Sequence, residues 1–579
     1  MFRGLLAAVA AGSLLLPGVA AAADQIGGVT PAVAIAGPPA SVAVLGDSIS
    51  AGTGADGRSL FDTISPLPGT ERPNRSWATG DQYSDLQSVF QRTRALRPGQ
   101  ATTRANLAVN GARAQNIVGQ VQGAPGDVGL ILIQIGGNDL CRSTVEDMTS
   151  IAEYRAQIDA TLAWVAQNRP DARVQINSVP DIYRLWEIRR TNAVAVTFWA
   201  LGLIPCQSLL ANPTSEAPAD MARRDAVRAR GLAYNEQLRE ACAQYLRCRY
   251  DDDATWLFSN DPAGFVNGDI SSQDHFHPSY QGQQKLAAVS WQAGFDFTDA
   301  KAPTVSVATV PEANDAGWHA APVDVEVSAT DDAGVAGLEI RVHAPDGTVG
   351  PWAPVFDDRA RVTVELDGTT HVEARAVDVN GNVSGSVVQT VHLDQVAPTV
   401  QVHAPTDDLE VVLGDEVFVE YGCDDDRSGV VACEGTRANL ATLDTSRVGA
   451  HEFTVTATDA AGNVTTLTRR YRVVYAVAAA ADRLEVDGPI RVNRNATLPV
   501  RVAIEDVAGA AVAGLSPALR LVAEDGTSRP AGALAFDAVE ARYAAQVSLR
   551  GLGVAAGDHR LVADLDDGTE RVIAHLEVR

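Results

Sequence analysis

Val42-Ala43-Val44-Leu45-Gly46-Asp47-Ser48-Ile49-Ser50 is the stretch from which the fold can be read. Four apolar residues in a row, broken by glycine, are what a strand buried on both faces looks like, and such strands belong to parallel sheets covered by helices. Ser48 then stands where the strand turns into a helix, at the carboxyl edge of the sheet, which is where open α/β sheets place their sites.

Working outward, the same grammar repeats. Leu130-Ile131-Leu132-Ile133-Gln134-Ile135 and Val174-Gln175-Ile176-Asn177-Ser178-Val179 are two more buried runs, each ended by Gly or Pro. Between them Ile151, Tyr154, Ile158, Leu162 and Val165 recur at spacings of three and four, one face of a helix that Pro170 stops. Residues 41–300 therefore read as an α/β domain.

After Ala300 the helical period fades, and Val/Thr alternation punctuated by Asp-Gly, Asn-Gly and Pro takes over, as in all-β modules. The tail repeats itself. Ala302-Pro303-Thr304-Val305 recurs as Ala397-Pro398-Thr399-Val400, and Ala376-Val377-Asp378-Val379-Asn380-Gly381-Asn382-Val383 recurs as Ala457-Thr458-Asp459-Ala460-Ala461-Gly462-Asn463-Val464. Two copies of one sandwich are expected, at 301–395 and 396–475, with 476–579 as a third strand-rich module. Tyr421-Gly422-Cys423 and Val431-Ala432-Cys433 add a disulfide-bearing variation, and the repeats resemble the bacterial Ig-like modules appended to secreted enzymes.

Upstream of the α/β domain, Met1-Phe2-Arg3 and the apolar run Leu5 to Ala22, ending in small residues, read as a secretory leader at 1–23. The Gly, Pro and Ala rich residues 24–40 read as a flexible lead-in. A chain of 579 residues exceeds what one core organises. Its net charge of −26 repels phosphate backbones, so nucleic acid is not an expected partner. No stretch after the leader is long enough to span a bilayer. Export permits disulfides, and six cysteines suggest three bridges: Cys423 with Cys433, and, as the best of three ways to pair the other four, Cys242 with Cys248 and Cys141 with Cys206. A metal site is the competing reading, without a Cys-x-x-Cys pair to support it.

Serine hydrolysis needs a nucleophile at a sharp turn, a base, a carboxylate that orients the base, and donors for the oxyanion. By itself Gly-Asp-Ser equally suits a helix N-cap. Three further motifs follow in chain order: Val109-Asn110-Gly111-Ala112, Ile135-Gly136-Gly137-Asn138-Asp139, and Asp274-His275-Phe276-His277-Pro278.

With these four blocks the sequence resembles the SGNH, or GDSL-type, hydrolase family over about Ser41 to Ala300. The resemblance implies a three-layer α/β hydrolase domain followed by all-β Ig-like sandwiches. It implies Ser48 as nucleophile, Asp274 and His277 as the rest of a triad, and Ser48, Gly111 and Asn138 as the oxyanion hole. Ile49 departs from the leucine of the family name. His275 is an extra histidine, and the family spacing, Asp three residues before His, selects His277. The run Gly136 to Cys141 with Ser178-Val179-Pro180-Asp181-Ile182 most resembles the phospholipase-B-like and actinobacterial lipase branch.

The expected activity is that of a secreted, extracellular or surface-associated ester hydrolase. Its substrate would be a lipid ester or an acylated glycan, and no cofactor or metal is required. Alternatives are a polysaccharide O-acetyl esterase anchored by the tail, with contact to cell wall or polysaccharide, and a non-catalytic adhesion protein. Ala193 to Pro205, rich in apolar residues, reads either as an acyl pocket or lid or as a buried core helix. Asp331-Asp332 and Asp424-Asp425-Asp426 read as solvated turns rather than calcium sites.

Overall fold

The computed structural model describes residues 31–56, 70–479 and 489–579; the leader expected at 1–23 lies outside them. Among these residues no helix is long and apolar enough to cross a membrane. The chain divides into two compact units. One is built from residues up to Pro311 with Asp324–Val364 and Thr369–Val391, the other from Glu312–Val323, Glu365–Gly368 and His392–Arg579.

In the first unit five strands form one parallel sheet: β1 (Ser41–Gly46), β2 (Thr103–Asn106), β3 (Leu130–Gln134), β4 (Arg173–Ile176) and β5 (Cys248–Tyr250), in the order β2-β1-β3-β4-β5. The two-residue period of a strand divides its apolar residues between two layers. Ala43, Leu45, Ile131 and Ile133 join one core with residues of the helices Ala114–Gln122 and Ile151–Asn168. Val42, Val44, Leu130 and Leu132 join the other, with Trp77, Phe90 and Leu286. On the helix Ile151–Asn168 the buried face is Tyr154, Ile158, Leu162 and Val165, as its spacing predicts, whereas Ile151 at the first turn is exposed. Ser150 caps this helix, accepting from the Glu153 amide while Glu153 bonds back to Ser150. Because β1 lies between β2 and β3, the connections leave it on opposite sides, and a crevice opens at the carboxyl ends of β1 and β3.

The tail is mostly antiparallel sheet, with a few short parallel pairs such as Leu409–Val412 beside Tyr471–Val474. The first module pairs 353–355, 335–343, 368–378 and 387–393 in one sheet and 359–364, 323–330 and 304–310 in another. In the second unit, strands between 399 and 474 surround a core of Val419, Phe453, Val455 and Val473, and strands between 476 and 578 surround one of Val502, Leu521, Tyr543 and Leu561. The repeated motif is a turn device. Asp378 accepts from the amides of Asn380 and Asn382, and Asp459 from those of Gly462 and Asn463. Asp331 and Asp425, read as members of solvated turns, each lie with two other carboxylates within 4.8 Å, Asp299 with Asp378 and Asp394 with Asp459. All six cysteines are bridged, as Cys141–Cys206, Cys242–Cys248 and Cys423–Cys433.

The lead-in departs from its expectation. Ile35 exchanges backbone hydrogen bonds with Val383 (2.9 and 2.7 Å), Ser386 N–H donates to Ala32, and Gly37 N–H donates to the Asn382 side chain at 2.8 Å. From Ala32 on, this stretch is held in place rather than free, by an isolated bridge at Ile35 and by its backbone amides at Ala32 and Gly37 donating to Ser386 Oγ and Asn382 Oδ1, contacts that use none of its own side chains. Beneath it the buried Arg173 donates to Gly37 O (2.8 Å) and Asn382 Oδ1 (2.7 Å), and burial pushes its guanidinium down to about 10. Nearby, Arg247 and Arg375 share Glu339, each at 2.7 Å.

Candidate functional site

Ser48 stands at the carboxyl end of β1, 7% exposed. The chain beyond it does not enter the expected helix; it coils in successive turns, with Ala51 N–H bonded to Asp47 O and Thr53 N–H to Ser48 O, both at 2.9 Å. Gly54 explains the close packing here. Its φ is +74°, and a Cβ would fall 2.7 Å from that of His277.

The loop before the helix Tyr280–Ala293 brings the other partners. His277 Nε2 lies 2.8 Å from Ser48 Oγ, and His277 Nδ1 lies 2.7 Å from Asp274 Oδ2. The second Asp274 oxygen accepts from the amides of Phe276 (3.0 Å) and His277 (3.1 Å). Burial works against the Asp274 charge, but the hydrogen bond and positive charge of His277 with these amides outweigh it, leaving the carboxyl below its ordinary range.

His275 is turned the other way. At φ +54° its ring meets Phe198 edge-on at 5.7 Å, its Nδ1 is buried without a hydrogen-bond partner, and burial together with Arg189 lowers its basicity.

On the opposite side of the crevice, the Asn138 side-chain amide donates to Ala112 O at 3.0 Å. Gly111 lies in the same loop at φ +74°. A Cβ there would meet nothing within 4 Å, so the backbone conformation, not crowding, favours glycine. Thr53 Oγ1 donates to Asn110 Oδ1 (2.5 Å), and Glu71 accepts from the Asn110 amide (2.9 Å), joining this loop to the serine turn. Asp139 is fully buried and accepts from Ala114 N–H (3.0 Å) and Thr149 Oγ1 (2.7 Å), and burial raises its carboxyl. Asp47 is nearly as buried. It accepts from Ile49 N–H at 3.0 Å, and burial pushes it up to about 6.

A cleft opens beside Ser48, His277 and Asn138, walled by Ile49, Ile182, Leu185, Phe258, Phe265 and Phe276 and touching Cys141. None of these apolar residues was singled out from sequence as a site residue. They come from segments distant in the chain; Ile49, Ile182 and Phe276 stand inside quoted motifs, but Leu185, Phe258 and Phe265 carried no local signal. Of the segment Ala193–Pro205, none lines this cleft. Ala195 and Trp199 are buried in the core, as a core helix requires, whereas Val194, Leu201 and Leu203 are exposed. The disulfide partner of Cys141, Cys206, directly follows that segment.

No curated protein matches the chain. Solved structures with similarity include a putative platelet activating factor from Streptococcus pneumonia (15% identity, covering 44% of this chain and 83% of that one, TM-score 0.26). Another is a carbohydrate esterase family 2 enzyme plus carbohydrate binding domain from Corynascus thermopiles (14%, 44% and 66%, TM-score 0.26). A third is a putative acylhydrolase from Bacteroides fragilis (13%, 44% and 86%, TM-score 0.23). Likeness at these scores carries no functional weight. Residues 42–289, which hold the whole Ser48, Asn138, Asp274 and His277 constellation, match the family model GDSL-like lipase/acylhydrolase, so the α/β half carries a GDSL-type acylhydrolase domain.

Proposed function

We propose that the chain is a secreted carboxylic ester hydrolase that works through an acyl-enzyme on Ser48. The observation that carries this reading is the unbroken relay from Ser48 Oγ through His277 to Asp274, with separations of 2.8 and 2.7 Å. Asp274 accepts a hydrogen bond from Nδ1–H, which leaves the Nε2 lone pair facing the serine hydroxyl. As Oγ attacks the ester carbonyl carbon, His277 takes its proton, and the imidazolium is stabilised by Asp274. The carbonyl oxygen, now negative, is received by the Asn138 amide and the N–H groups of Ser48 and Gly111. His277 returns the proton to the departing alcohol, and a water molecule repeats the sequence to free the acid. Export is supported by the leader-like residues 1–23 and by six cysteines all in disulfides.

The test is hydrolysis of p-nitrophenyl acetate and butyrate by the full mature chain and its Ser48→Ala variant. Wild-type turnover with a loss of about 10³-fold or more in the variant is the expected result; equal rates in the two proteins would remove Ser48 from the mechanism.

A further inference from the structure

We infer that the cleft beside Ser48 is an acyl-chain site, and that the enzyme prefers esters of medium-length fatty acids over acetyl esters. This inference rests on the serine hydrolase reading above and adds the substrate class.

The wall of the cleft is hydrocarbon. Ile49, Ile182, Phe258, Phe265 and Phe276 are only partly buried, so they present surface to the cleft, while Leu185 packs behind them. Phe258 and Phe265 meet edge to face at 6.0 Å, and Phe276 stands perpendicular to the His277 ring at 5.0 Å. The apolar surface thus runs up to the reacting atoms themselves.

The polar side chains of the wall away from the relay are already engaged. Asp181 pairs with Arg228 at 2.9 Å and accepts from Tyr183 N–H at 3.2 Å. Ser259 donates to Trp256 O at 2.8 Å and accepts from Asp181 N–H at 2.7 Å.

A sugar ring placed here would lose water from its hydroxyls without finding partners for them, which is costly. An alkyl chain would only lose water it binds poorly. Each methylene that enters such a wall is worth about threefold to fourfold in binding. An acetyl group, with none, would leave the wall wet. In the inferred pose the carbonyl carbon sits at Ser48 with its oxygen toward Asn138, and the chain of the acid, not that of the alcohol, follows the wall.

The experiment measures kcat/KM for two ester series: p-nitrophenyl esters from acetate to palmitate, and acetate esters of alcohols from ethanol to octanol. Wild type, Ser48→Ala, Ile182→Trp and Phe265→Ala are compared. The expected result is a rise of at least about tenfold from acetate to octanoate in wild type, with a flatter response to alcohol length. Ile182→Trp, which narrows the cleft, is expected to lower the octanoate-to-acetate ratio at least about fivefold. Phe265→Ala removes wall surface and lowers the same ratio, which keeps the test intact if the tryptophan variant does not fold. Ser48-dependent hydrolysis with acetate equal to or above octanoate, or with alcohol length as the stronger determinant, would overturn the acyl-site assignment while leaving the serine mechanism standing. Absence of Ser48-dependent turnover on every ester would overturn both.

Discussion

The side-chain amide of Asn138, in the short helix Gly137–Leu140 that follows β3, donates one hydrogen to the Ala112 carbonyl at 3.0 Å. An amide nitrogen carries two hydrogens, so the tether fixes the group while the second remains for the oxyanion. Such a donor is paid for in the fold rather than at the moment of reaction. Asn138→Ala is expected to lower kcat by about 10²–10³ with little change in KM, measured by steady-state kinetics on a p-nitrophenyl ester.

Asp274→Asn keeps the shape of the relay and removes its charge. The amide can donate to Nδ1, which favours the tautomer with the proton on Nε2, facing the serine. A fall in kcat of about 10⁴ is expected, with the fold retained by circular dichroism. A loss below tenfold would show that His277 is oriented by something else.

Asp47 and Asp274 respond to pH with opposite sign. Asp47 is raised from 3.8 to about 6, so its contribution to stability is full below pH 3.8 and lost as pH rises through 6. Asp274 is lowered, so its contribution is present above 3.8 and lost as pH falls below it. Thermal unfolding of Asp47→Asn against wild type should therefore show a difference in Tm that grows in the variant's favour between pH 4 and 7.

The Cys141–Cys206 bridge closes a separation of 65 residues and Cys242–Cys248 one of only 6. On the loop-entropy account the first stabilises by about 4 kcal/mol and the second by about 2. Replacing Cys141 and Cys206 by serine is expected to cost more in denaturant unfolding. It should also raise KM, because Cys141 touches the cleft and Ser208 Oγ, two residues beyond Cys206, donates to Leu140 O at 2.7 Å.

The sequence made some of this legible and concealed the rest for physical reasons. Ser48, Asn138, Asp274 and His277 sit in short motifs at the ends of apolar runs, where a strand period and a glycine mark the place. The unbroken apolar runs 42–45 and 130–133 carried the two-sided core. The cleft wall was hidden because Leu185, Phe258 and Phe265 meet only in three dimensions, and each reads locally as ordinary core. Gly54 was hidden because its neighbour, His277, lies over two hundred residues away. The pairing of 32–37 left no trace because this segment is held through its own backbone atoms, which need no pattern in its side chains.

That pairing sets a schedule for the growing chain. Ala32 emerges early, but its partner Ser386 is 354 residues later, and Gly37 waits 345 residues for Asn382. Arg173 beneath them likewise waits for Asn382. Closing so long a loop precedes any reward from the contact, so this seam forms after the sheet and the first sandwich have each taken shape. A ribosome that has finished the α/β half has made every catalytic side chain, yet the edge of that half near Arg173 stays open until the sandwich arrives as a clasp.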